Sequence, residues 1–154
     1  MKQKIIGNKS KTILKLIILT LFIFFIVKVF NPDSPKEFYK KHKSSLNKII
    51  EDVDKSKGSH SKKTVIPGIK NIYYSSSDVY ESEIVQINLK SKPFTPPFYI
   101  GLIYSYTGKA RIPELPDGYL QEIRDGVWYY SDGTDNYFKM EHIEGNWFTF
   151  EYAL

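Results

Sequence analysis

Residues 119–153 read YLQEIRDGVWYYSDGTDNYFKMEHIEGNWFTFEYA. Three pairs punctuate this stretch: Asp125-Gly126, Asp132-Gly133 and Glu144-Gly145. Each supplies the glycine that a tight hairpin turn needs for positive φ. The runs between them, 119–124, 127–131, 136–143 and 146–153, are rich in the aromatic residues that strands favour. Four strands joined by short turns make an up-and-down antiparallel meander.

The pattern continues upstream. In 98–106, Phe98, Ile100, Leu102, Tyr104 and Tyr106 alternate with their neighbours, which is the period of a strand. Residues 83–89 place Val85, Ile87 and Leu89 on one face, and 71–75 is also strand-like. The segment 91–97, SKPFTPP, is no central strand, because its prolines remove ladder donors. Thr107-Gly108-Lys109 is a turn, and 112–118 is a loop. Residues 69–154 are therefore expected to form an antiparallel sheet of about six to seven strands.

Before the sheet the period changes. Ser34 is placed to cap a helix, Pro35 suits its first position, and Glu37 completes a capping box. Phe38, His42, Leu46, Ile49, Ile50 and Val53 then recur at three- and four-residue spacing, one face of an amphipathic helix over 34–55. The fold class is α+β. Which face of the sheet receives this stripe stays open, because the aromatic strands are rich on both sides. The polar residues 56–68 read as a linker. Lys36, Lys40, Lys41 and Lys43 form either a solvated helix face or a contact with anionic lipid headgroups.

Residues 12–30, TILKLIILTLFIFFIVKVF, are apolar on every side. So small a chain has no core large enough to bury such a helix, so a transmembrane anchor is expected. Lys15 and Lys28 can snorkel from its ends, and the bulky residues that follow offer no signal-peptidase site, so the anchor is expected to be retained. The basic tail 1–11 is expected in the cytoplasm and the C-terminal domain outside it, the usual signal-anchor layout.

The formal net charge of +5 is unevenly spread. Residues 1–30 carry +6, residues 31–63 carry +4, and residues 64–154 carry −5. The sheet domain is acidic and lacks the clustered cations that phosphate binding needs, which argues against nucleic acid. With no cysteine and three histidines, disulfides and thiolate chemistry are excluded, and neither a metal nor another cofactor is expected.

The sequence Gly-x-Trp-aromatic occurs twice, at Gly126 and Gly145, nineteen residues apart. The unit Gly126-Val127-Trp128-Tyr129-Tyr130 resembles a repeat of the choline-binding modules of bacterial cell-wall proteins. That resemblance implies an aromatic cage gripping a quaternary ammonium by cation–π attraction, with Trp128, Tyr129, Tyr130 and Trp147 as its members. The chain departs from the pattern: two units stand where repeat arrays need at least about three, and the second lacks the Tyr-Tyr pair. On the competing reading the motif is hairpin core. Trp128 and Trp147 then take matching places on neighbouring strands and stack, with Tyr129 and Phe148 on the opposite face.

No catalytic constellation is apparent. Thr107-Gly108-Lys109 lacks the glycine-rich lead of a phosphate loop, and the run 132–136 lacks the spaced carboxylates of a calcium loop. Glu141 and His142 would point to opposite faces of a strand. The expectation is a non-enzymatic single-pass membrane protein of the cell envelope, presenting its acidic sheet to an unidentified partner protein. A wall-carbohydrate or choline-type binder is the alternative, and a membrane-anchored toxin-neutralising protein a third reading.

Overall fold

The chain divides into two units, Met1–Pro32 and Asp33–Leu154. The computed structural model describes residues 12–23, 33–53, 66–77, 82–90, 98–112 and 119–153. In the first unit residues 12–23 form helix α1. Nine large apolar side chains on it, among them Leu14, Ile17, Leu21 and Phe22, are 51% to 64% exposed. Among the described residues no helix is long and apolar enough to cross a membrane. The rest of the expected 12–30 span lies outside the described residues, as do the 1–11 tail and most of the 56–68 linker.

The second unit opens with helix α2, Pro35–Asp52. Its capping box is complete: Ser34 Oγ accepts from the Glu37 N–H at 3.3 Å, and Glu37 Oε2 accepts from the Ser34 N–H at 2.9 Å. The helix buries Phe38, Tyr39, Leu46 and Ile50. Seven strands follow: β1 (Ile69–Ser77), β2 (Ser82–Leu89), β3 (Phe98–Ser105), β4 (Gln121–Arg124), β5 (Val127–Ser131), β6 (Tyr137–Glu144) and β7 (Trp147–Ala153). All neighbours are antiparallel, in the order β1-β2-β3-β7-β6-β5-β4.

The sheet is thus two meanders, β1–β3 and β4–β7, and β7 rather than β4 lies beside β3. Burial explains the crossing. Strand β7, WFTFEYA, buries residues on both faces and belongs in the middle. Strand β4, QEIR, is exposed throughout and stands at the edge, where its charges discourage pairing with other chains. Two of the hairpins close as expected, with Gly126 at φ 70° and Gly145 at φ 52°. At each the register shifts by one residue, the bulge that accompanies a left-handed glycine after a type I turn.

Each sheet face has its own core. On the helix side, Ile72, Val85, Ile87, Leu102 and Trp147 meet Phe38, Tyr39, Leu46 and Ile50 of α2. On the far side, Ile84, Ile103, Met140, Phe148 and Phe150 meet Ile112 and Ala110 of the connection leaving β3 and Leu120 before β4. Gly101 allows this layer to close down, since the Phe150 ring and the Ile87 carbonyl occupy the place of a Cβ there.

Candidate functional site

The four aromatic residues expected at a cage do not converge. Trp128 pairs with Met140, and Met140 with Phe150, so even-numbered residues of β5, of β7 and of β6 as far as His142 share the far face. A spacing of nineteen is odd, so Trp128 and Trp147 fall on opposite faces. Strand β6 also separates their strands, which corrects the expectation that they stack. Trp128 instead meets Phe148 edge-on at 5.7 Å. Trp147 is 4% exposed, lies 5.4 Å from Tyr39 and 5.1 Å from Tyr104, and donates from Nε1 to Asn47 Oδ1 at 3.2 Å. Tyr129 stacks on Tyr137 at 5.9 Å, while Tyr130 turns to the far face beside Tyr119.

Three of the four lysines proposed for lipid contact have carboxylate partners. Lys36 Nζ lies 2.9 Å from Glu141, Lys41 lies 3.5 Å from Asp33, and Lys43 pairs with Glu144. Lys40 is exposed. The Lys36 hydrogen bond holds the Glu141 carboxyl below its usual range, against the opposing effect of burial. Glu144 is held low by Lys43 and then by Tyr39, whose hydroxyl donates to it at 2.6 Å. Burial, followed by that hydrogen bond, raises the Tyr39 phenol. These contacts tie α2 to β6 and to the turn after it.

A cavity of about 670 Å³ opens on the far face, adjoining the apolar core layer at Ile112. Strand β2 brings Gln86 and Asn88 there, and β1 brings Asn71 and Tyr73. The opposite wall is a row of rings placed side by side by strand register: Tyr99, Tyr152, Phe138 and Tyr130. Tyr99 and Tyr152 are 4.5 Å apart with planes 10° from parallel, and Phe138 and Tyr152 are 5.7 Å apart at 13°. A register shift between Ile69 and Asn71 re-aims Lys70, whose Nζ stands 5.9 Å over the Tyr99 ring. Lys70 is the one charged side chain among the described lining residues.

The amides are partly committed. Gln86 Nε2 donates to Asn88 Oδ1 at 2.8 Å, and Asn71 Nδ2 donates to Tyr73 Oη at 2.7 Å. Among the described residues Asn71 Oδ1 is buried with no hydrogen-bond partner, a deficit that costs about 1–3 kcal/mol. A trough of amides and rings with a single lysine offers hydrogen bonds to a polar ligand and an apolar face along the ring wall.

Of the four expected site residues only Tyr130 lines this trough. The amides went unread in the sequence, although Gln86 and Asn88 alternate with Val85, Ile87 and Leu89 and so mark a polar half-face on a buried strand. The 132–136 run is a closed turn: Asp132 carboxylate oxygens accept from the Thr134 N–H at 2.9 Å and from Asn136 Nδ2 at 2.9 Å. Glu141 and His142 lie on opposite faces, one paired with Lys36, the other bonded to Gly145 O at 2.8 Å. Among the described residues no group of three or more His, Asp or Glu side chains is placed to hold a metal ion. No protein-family model matches the chain, and no curated protein or solved structure matches it significantly.

Proposed function

We propose that the chain is a single-pass membrane protein of the cell envelope that presents Asp33–Leu154 outside the cytoplasm as a non-catalytic binding domain. The observation that carries this reading is α1, with nine large apolar side chains more than half exposed. Burying a side chain of that kind is worth about 1.5–3 kcal/mol, so nine together favour a hydrocarbon environment strongly over water. The apolar sequence continues from α1 to Phe30, interrupted by Lys28. Nineteen helical residues would extend about 28 Å, close to the thickness of a bilayer's hydrocarbon core. The trough on the far face of the sheet, whose described lining has one lysine and no carboxylate, supports binding over catalysis.

The chain has no cysteine, so single substitutions give a clean background for labelling. Ser45→Cys and Asp135→Cys both fall at exposed positions. The reading expects carbonate-resistant membrane association and full reaction of both variants with an impermeant maleimide on intact cells. Release by carbonate sinks the anchor, and labelling only after lysis sinks the external placement.

A further inference from the structure

The trough's chemistry narrows its ligand by elimination. A quaternary ammonium or other cation would meet Lys70 with no carboxylate in the described lining to offset it, and Lys70 already stands over Tyr99. That charge disfavours, in this trough, the ligand that the choline-repeat resemblance implies. A polyanion is equally ill matched, since one lysine cannot neutralise several phosphates. A lipid tail would strip water from Asn71, Gln86 and Asn88 and return no hydrogen bonds. An extended peptide gains most of its affinity by pairing with a sheet edge, whereas this trough lies on a sheet face.

A ligand dense in hydroxyls and without charge meets every term. Side-chain amides both donate and accept, as hydroxyl groups do. Gln86 Oε1 and Asn88 Nδ2 remain without a protein partner among the described residues, and Asn71 Oδ1 lacks one although buried. The C–H groups of a pyranose are suited to the row from Tyr99 to Tyr130, since aromatic faces carry negative partial charge. The volume of about 670 Å³ falls within the range of small-ligand sites and admits more than one sugar ring.

We infer, resting on the reading of Asp33–Leu154 as a binding domain, that this trough holds an uncharged saccharide between the amides of Asn71, Gln86 and Asn88 and the ring row headed by Tyr99 and Tyr152. The test is saturation-transfer NMR on the full chain in polyoxyethylene micelles, which carry no sugar headgroup to compete. The probes are chitotriose, maltotriose and cellotriose, with choline and triglycine alongside. At least one trisaccharide is expected to give a saturable response, weakened about tenfold or more by Asn71→Leu and by Gln86→Leu. Asn71→Leu removes a buried acceptor that has no partner, so the fold is expected to survive it, as a circular dichroism spectrum would report. Ile123→Ala, exposed on edge strand β4 and outside the lining, is expected to leave the response unchanged.

Silence from all three trisaccharides overturns the inference, as does a response from choline or triglycine alone. So does a saccharide response that survives both amide substitutions. External labelling of the cysteine variants without a saccharide response removes the ligand and keeps the anchored placement. A trisaccharide response with labelling only after lysis does the reverse.

Discussion

Gly101→Ala tests whether the two core layers are fixed by one close approach. Gly101 sits in β3, opposite Phe150 on β7 and Asn88 on β2. A Cβ there would lie 2.1 Å from the Ile87 carbonyl oxygen and 2.7 Å and 2.9 Å from Phe150 Cε1 and Cζ. The Phe150 ring has room to answer only by leaving a layer in which it is 1% exposed. The carbonyl belongs to the backbone of the neighbouring strand, so relief needs β2 to separate from β3 by about an ångström. Overpacking of a core costs about 1–3 kcal/mol, and a clash with backbone belongs at the top of that range or above it. At a urea m-value of about 1.5–2 kcal/mol per molar, a loss of about 3 kcal/mol lowers the unfolding midpoint by about 1.5–2 M. The assay is tryptophan fluorescence of the full chain in polyoxyethylene micelles across a urea series, read from Trp128 and the buried Trp147. Gly126→Ala is the comparison. Its Cβ would meet only His142 Cβ at 3.6 Å, and its cost of about 1–2 kcal/mol comes from the φ of 70°. A Gly101→Ala midpoint within about 0.3 M of the parent would refute the reasoning.

Leu46 is fully buried where α2 meets the sheet, so Leu46→Ala is expected to lower stability by about 2–5 kcal/mol in the same urea series, and a change below about 1 kcal/mol would mean that α2 is not docked as described. Acid should weaken the domain, because Glu37, Asp132, Glu141 and Glu144 all titrate below their usual range. A carboxyl whose folded pKa is depressed stabilises fully above its unfolded value, about pH 4.3 for glutamate, and that stability is lost as the pH falls through the folded value. Lys36→Gln is expected to return Glu141 toward the ordinary range and to shrink this acid-dependent loss, and a Glu141 titration by carboxyl ¹³C NMR that does not move would remove Lys36 as the cause.

Local signals in the sequence carried most of the elements. Ser34, Pro35 and Glu37 announced the start of α2, and the glycines at 126 and 145 announced two hairpins. The alternation of Val85, Ile87 and Leu89 marked a buried strand face, which the structure places against α2. Strand order was less legible, because it depends on the burial of β7 on both faces, a property of neighbours distant in sequence. The opposed tryptophans were legible in principle: the odd spacing of Trp128 and Trp147 decides their faces once both hairpin registers are known. The trough was not legible as a site. It gathers side chains from β1, β2, β3, β5, β6 and β7, and Lys70 enters it through a bulge that no residue type announces.

Strand β2 shows why the trough is difficult to explain by stability alone. Its helix-side residues from Val85 to Leu89, namely Val85, Ile87 and Leu89, are apolar, as a buried face requires. Its far-side residues change along the strand, from Ile84 under the Ala110–Ile112 cover to Gln86 and then to Asn88, which is 7% exposed. Burying an amide without full hydrogen bonding costs free energy that a leucine or valine at the same place would not. On the neighbouring strand the far-side residues Tyr73 and Asn71 are polar too, and Asn71 holds a buried oxygen with no partner among the described residues. Across the trough, β3 and β7 change in step: Ile103 and Phe148 lie in the apolar layer, and Tyr99 and Tyr152 stand at the trough wall. Strands β2, β3 and β7 therefore each pass from aliphatic or phenyl groups to amides or phenols toward the same end of the sheet. A fold selected only for packing has no use for that boundary, whereas a ligand whose hydroxyls complete the amides' hydrogen bonds gives it one.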